Sequence, residues 1–418
     1  MKIINLVSKL SYYTLANVII RLLSLIIPLV SIKFLDDVSY HSLIISIATS
    51  NLIISSVGYA LGVATNKCSA YFMLNQNIIN SKSFLLEIKY YILFLFSLFS
   101  SFFFMKDILF VDKINSTTLY IVTLYNALVG IVSIILVNYY IGKNQVAKVS
   151  IMQTLCGLLA ILILLIFLMF GKYNTTPLQY CLLLSLPFST FIFIIFYNDF
   201  DELKLRFLKF NIVKTNFYFF KKLVIPSFLS NFSYAFCIWF VLILIGAYLS
   251  PDLAAKYGTA MLFLNLAVYI PQLTSAITVP ILMKLNTYDE FYSFLFKITS
   301  LNVFISVFFL LLIYTFSHYI DDYYAANFTE ISSLILSIMF SVIPISICNV
   351  FGQFLVRIEK LSMGLVFNIL WAISYVGLMY IFVKFEQKLS AIPFVTSYVV
   401  LAFIQGFYIK NELKKIKY

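Results

Sequence analysis

This chain of 418 residues has only two histidines and five cysteines, and neither type is grouped. Cys68, Cys156, Cys181, Cys237 and Cys348 stand singly, with no CxxC pair and no histidine cluster. That excludes a thiolate metal site and a disulfide framework, so the five are read as small helix residues. Charge is scarce as well, at 11% of residues against about 25% in a soluble domain. There are three arginines, Arg21, Arg206 and Arg357. No P-loop and no G-x-S-x-G is present, and the only paired carboxylates are loop doublets such as Asp36-Asp37 and Asp321-Asp322, read as solvated caps. His41 and His318 are placed in outer loops. Nothing here makes a catalytic centre or calls for a cofactor or metal, so the chain is not read as an enzyme.

What the chain has in abundance is hydrocarbon. Hydrophobic residues make up 62% and the mean hydropathy is +0.99. Apolar runs of about 20 residues fit helices that cross a hydrocarbon core; barrel strands would alternate with a period of two. The spans are read as 11–34, 42–63, 89–110, 117–141, 149–171 and 178–198, then 223–249, 257–283, 291–316, 331–356, 364–385 and 391–410. The first, after MKIINLVSKL, is interrupted by Arg21 and has no A-x-A site behind it, so an uncleaved helix is expected.

Between the two sets of six lies the most basic segment, DFDELKLRFLKFNIVKTNFYFFKK at 199–222. It reads as a connector lying on the headgroups, between an N-terminal lobe at 1–198 and a C-terminal lobe at 223–418. If the N-terminus starts inside, 20 of the 29 Lys/Arg fall in the inner segments with 8 of the 17 acids. The outer loops keep 7 basic and 9 acidic residues, and Arg21 and Lys297 lie within spans. This sorting puts both termini in the cytoplasm of a multi-pass protein of the cell membrane. The net charge of +12 then faces anionic lipid, and nucleic acid is not needed to explain it. The outer loops are short (Asp36 to His41, Lys172 to Pro177, Glu386 to Ser390, and Ser317 to Glu330 as the longest). They leave no room for a soluble active site.

The halves read as parallel repeats about an axis along the membrane normal. Asn17 and Asn231 are 214 residues apart, and the same offset sets Gly142-Lys143 beside Val356-Arg357. The expected architecture is an all-α polytopic membrane protein, with about 12 transmembrane helices in two six-helix lobes around a central cavity.

Polar residues inside the spans are the candidate binding groups. Thr14, Asn17, Arg21, Ser24 and Pro28 fall on one face, spaced by three and four. A guanidinium near mid-membrane costs at least about 2.5–3.5 kcal/mol, and no carboxylate lies at its depth, so Arg21 points to a hydrated cavity or an anion. Its forked donors suit phosphate oxygens. Lys297, with Ser293 and Ser300 beside it, either lines a cavity or snorkels to the headgroups. Asn265, Tyr269 and Gln272 make a further stripe, as do Asn126, Gly130 and Ser133, and Asn349 with Gln353; each lines a cavity or joins helices. Pro28, Pro187, Pro271, Pro280 and Pro344 fall inside spans, and Gly58-x-x-x-Gly62 marks a close approach of two helices.

The 6 + 6 layout, TLANVIIRLLSLIIPL in the first span, NLAVYIPQLTSAITVPILMKL in the eighth and VFGQFLVRIEK closing the tenth resemble the Wzx-type O-antigen flippases. These belong to the polysaccharide-transport branch of the multidrug/oligosaccharidyl-lipid/polysaccharide exporter superfamily. The resemblance implies two six-helix lobes around a central cavity. It also implies that an undecaprenyl-diphosphate-linked oligosaccharide, the O-antigen unit of lipopolysaccharide, moves from the inner to the outer leaflet of a bacterial inner membrane. Partners would be that lipid, the bilayer and other O-antigen assembly proteins. The substrate-contacting set is then Arg21, Asn17, Ser24, Lys297, Asn231, Asn265, Tyr269 and Gln272. Two alternatives stand beside it. An O-antigen polymerase would need arginine in long outer loops, and a drug or cation antiporter of the same superfamily would need buried carboxylates.

Overall fold

The computed structural model describes residues 25–62, 64–66, 116–143, 145–170, 176–198, 224–282, 287–325, 330–358, 360–386 and 390–416, with 22, 285 and 328. Arg21, Asn17, Ser24 and the connector 199–222 lie outside them. Among the described residues every regular element is helical. They fall into two compact units, one within 1–239 and one within 240–418.

In the first unit a helical run at 25–31 closes in a turn, with the Leu35 amide donating to the Ser31 carbonyl at 3.0 Å. α1 (Asp37–Ile53) follows and continues through a π-helical turn (Ile54–Gly58) as one span, Asp37–Asn66. Then come α2 (Ser116–Gly142), α3 (Val146–Phe170), α4 (Pro177–Asn198) and the first part of α5 (Ile225–Tyr248). The second unit takes the end of α5, then α6 (Pro251–Leu282), α7 (Tyr288–Thr315), α8 (Ser317–Tyr324), α9 (Ile331–Met339), α10 (Val342–Arg357), α11 (Leu361–Ile381) and α12 (Ile392–Ile416). Among the described residues nine helices are long and apolar enough to cross a membrane. α6, at 32 residues, is the longest described helix.

The packing order repeats. α1 lies on α2, α2 on α4 and α3 on α4 in the first unit; α6 lies on α10, α10 on α12 and α11 on α12 in the second. Counted as spans, these are the second on the fourth, the fourth on the sixth and the fifth on the sixth, twice over, as parallel repeats require. In a bilayer apolar burial alone does not bring helices together, because lipid is as apolar as leucine. Small residues and hydrogen bonds then select the faces that meet. A Cβ on Gly58 would meet the Ile131 backbone at 3.4 Å, and one on Gly62 would meet Asn138 Nδ2 at 2.7 Å, so this edge of the span Asp37–Asn66 sits directly against α2. Ser46 Oγ lies 2.6 Å from Thr123 Oγ1 and 3.1 Å from Cys181 Sγ, and Asn126 Nδ2 donates to the Cys181 carbonyl at 2.8 Å, joining α1, α2 and α4. In the second unit Ser306 and Ser346 share a hydroxyl bond of 2.6 Å between α7 and α10. Faces without such pairs carry exposed aliphatics for lipid, as Leu155, Leu158, Leu162 and Leu165 do on α3.

Several helix ends differ from the sequence reading, for local reasons. The outer loop read at Asp36 to His41 is helical from Asp37, and His41 is buried in α1 rather than exposed in a loop. α6 starts six residues before the expected 257, because Ser250 caps it (Leu253 amide to Ser250 Oγ, 3.1 Å) and Pro251 fits the first helical position. The loop from Ser317 holds α8, and Asp321 is not a free solvated cap: it accepts the Ser332 amide at 2.9 Å and so satisfies the start of α9. The span read at 331–356 is two helices, α9 and α10, broken at 340–341. Pro344 supplies the reason. It has no amide to give the ladder, so it is accommodated in the first turn of α10.

Candidate functional site

The candidate groups in the second unit sit on α6 and α7. On α6, Asn265 is exposed while Tyr269, one turn on, is buried; Gln272 follows in the same helix. The stripe read from the sequence therefore passes from an open face into a packed one within a single turn. α7 opens with a capping box in which the Glu290 amide donates to Thr287 Oγ1 and the Thr287 amide to Glu290 Oε2. Its inner face buries Phe291, Leu295, Asn302 and Ser306, the first two against Phe354 of α10 and Ile409 and Leu413 of α12. The opposite face presents Ser293, Lys297 and Ser300, all exposed. Lys297 forms no ion pair among the described residues.

In the first unit Asn231 is half-buried on α5. This helix carries an aromatic ladder: Phe228, Phe232, Phe236 and Trp239 succeed one another with ring centroids 5.4–5.8 Å apart. Phe228 and Phe232 pack on the cluster that holds Val224 with Ile53, Val57, Leu61, Ala127 and Ile131. At its end Trp239 Nε1 donates to Thr49 Oγ1 at 2.9 Å. The sequence reading passed over this contact. Trp239 is one of two tryptophans in the chain, and an indole inside an apolar helix needs an acceptor, which was the available signal. Asn126 and Ser133, left open between cavity and helix joining, are buried, and the Asn126 amide joins α2 to α4.

Acidic charge is confined to helix ends. Among the described residues of the membrane helices, each Asp and Glu lies within about two turns of a terminus (Asp37, Asp252, Asp289, Glu290, Glu386, Glu412). Where α10 turns into α11, Lys360 Nζ lies 2.6 Å from the buried Glu412 and over the Tyr408 ring. The Glu412 hydrogen bond raises the Lys360 ammonium above the usual lysine range, partial burial opposes it, and Tyr408 adds to it.

No family model matches the sequence, and no curated protein matches it. Solved structures do match. A multidrug resistance MATE family transporter of the MOP superfamily, in an outward-facing conformation, superposes with a TM-score of 0.73 at 14% identity, over 98% of this chain and 96% of that one. The fold is that of MOP superfamily transporters. An inward-facing conformation of a MATE transporter gives 0.74 at 14% identity, over 98% and 95%. A MOP superfamily transporter from Pyrococcus furiosus, described as having a binding pocket of reversed polarity that suggests a different function, gives 0.71 at 14% identity, over 98% and 96%. The MOP fold is the all-α polytopic membrane architecture expected from the sequence, with about twelve transmembrane helices in two lobes.

Proposed function

We propose that this chain is a membrane transporter that works by alternating access, and that its cargo is a polyprenyl-diphosphate-linked oligosaccharide carried from the inner to the outer leaflet. The fold occurs in both outward-facing and inward-facing transporters, which supports a two-state cycle. The observation that carries the choice of cargo is the sign of charge available within the membrane. Arg21 lies near the middle of its span, Lys297 lies within another, and each described carboxylate of the membrane helices stays within about two turns of a helix end. Coupling to protons through the membrane interior uses Asp, Glu or His chains, whereas a cation in a hydrated cavity suits an anionic headgroup. The sugar would meet amides and phenols such as Asn231, Asn265 and Tyr269, with Asn17, Ser24 and Gln272, while the prenyl chain stays in lipid.

Drug export is the second reading, favoured by the multidrug transporters among the structural neighbours. Arg21 separates the two. Deleting the gene in its own host should remove surface polysaccharide and leave lipid-linked oligosaccharide on the inner leaflet. Wild type should restore display, Arg21→Lys should restore part of it because the charge remains without the fork, and Arg21→Ala should restore none. Unchanged display with Arg21→Ala at normal protein levels would overturn the anionic-cargo reading. Loss of drug tolerance with intact display would establish export instead.

A further inference from the structure

The face of α7 that Lys297 occupies continues outward as a groove. Phe296, Thr299, Ser300, Val303, Phe304 and Val307 line a cavity of about 440 Å³. Phe296 and Phe304 are 65% and 71% exposed, so two exposed phenyl rings border it. From Phe296 to Val307 the stripe runs about 16 Å along the helix. The polar atoms gather at one end: Ser293, Lys297, Thr299 and Ser300 come first, and from Val303 onward the lining is hydrocarbon.

Depth gives this polarity its meaning. A helix of 28 residues is about 42 Å long, more than the roughly 30 Å of hydrocarbon, so some excess stays outside at each end. Lys297 is nine residues in from Tyr288, about 13 Å along the axis, and so lies several ångströms inside the hydrocarbon boundary. A lysine there extends its stem toward the interface and holds its ammonium at the level of lipid phosphates.

We infer that this groove holds the prenyl chain of the substrate, with the phosphate at Lys297 and the adjoining Ser293 and Ser300 hydroxyls. The inference rests on the cargo proposed above and adds where its lipid portion docks. Charge complementarity selects an anionic head, since Lys297 forms no ion pair among the described residues. The groove follows one residue stripe of a single helix, which suits one unbranched chain better than the two acyl chains of a phospholipid. The exposed Phe296 and Phe304 rings offer apolar contact to an isoprenoid chain.

The test uses the full chain in phosphatidylethanolamine/phosphatidylglycerol nanodiscs and a benzophenone-bearing polyprenyl monophosphate. Crosslinks should map to residues 299–307 and persist in excess phosphatidylglycerol. Lys297→Gln should lower labelling about tenfold, equivalent to about 1.4 kcal/mol, and Lys297→Arg should restore it. Competition by phosphatidylglycerol, or labelling unchanged by Lys297→Gln, would make the groove ordinary lipid-facing surface and overturn the inference. If the chain is needed for polysaccharide display but the probe does not label α7, the groove falls and the flippase reading stands. If α7 is labelled with the expected Lys297 dependence but display does not need the chain, the groove stands and the cargo assignment falls.

Discussion

Single charges inside or beside the membrane follow different rules according to what surrounds them. Arg21 and Lys297 can be singled out from the sequence alone, because an intramembrane cation is costly and so conspicuous. The pair of Lys360 and Glu412 could not be found that way. Fifty-two positions separate them, and only the turn between α10 and α11 brings Lys360 beside the end of α12. Glu412 is 9% exposed while the Lys360 side chain is 39% exposed, so replacing Lys360 strips a buried carboxylate of its ammonium contact. Lys360→Met should therefore lower the melting temperature in detergent. The pH dependence follows from the direction of the shift. The folded state raises the lysine pKa, so the contribution is complete below the ordinary lysine value of about 10.4 and is lost as pH climbs through the raised one. The gap in melting temperature between wild type and variant should be flat from about pH 6 to 9 and should close only in stronger alkali. A gap that closes near neutrality would show that the ion pair is not its source.

Helices meet here by fit rather than by apolar burial, and fit is testable by adding one side chain. A Cβ at Gly62 would lie 2.7 Å from Asn138 Nδ2 and 2.9 Å from Ile134 Cγ2, and Ile134 is β-branched and stiff. Asn138 is held as well, its amide donating to the Ile134 carbonyl at 2.9 Å. Gly62→Val should destabilise the protein by about 1–3 kcal/mol and lower its level in the membrane. Gly377 on α11 has nothing within 4 Å of its missing Cβ, so Gly377→Ala should be neutral or stabilising by up to about 1 kcal/mol. Equal melting curves for the two variants would show that the contact between the span Asp37–Asn66 and α2 is not close. The Gly58-x-x-x-Gly62 motif made this contact legible beforehand. Apolar runs likewise located the long helices, since a bilayer demands length and hydrocarbon whatever the packing. Helix starts were less legible. The early start of α6 depends on a Ser250 cap, and the break before α10 on where a proline fits, and neither changes the hydropathy of the run. α8 was missed because SHYIDDYY, polar and aromatic apart from Ile320, carries no membrane signal.

For the whole molecule, the two-lobe architecture was legible because the chain is long enough for two sets of six spans. The identity of the candidate contacts was only partly so: a polar stripe such as Asn265, Tyr269 and Gln272 looks uniform by spacing, yet burial differs within one turn. Orientation is the remaining global property, and charge predicts it. Insertion leaves Lys and Arg on the cytoplasmic side, and the bias counts over short loops, which this chain has throughout. With 20 of 29 basic residues on one set of segments, the 199–222 connector and both ends of the chain are predicted to face the cytoplasm. The segment from Ser317 to Glu330, which contains α8, then faces outward; it carries no Lys or Arg. Alkaline phosphatase folds only where disulfides form, outside the cytoplasm. A fusion at Asn327 should be active and one at Lys222 inactive, with the reverse pattern for a reporter that works only in the cytoplasm. Activity at Lys222 would invert the map, place Lys297 near the outer leaflet and remove the inner-leaflet phosphate from its reach.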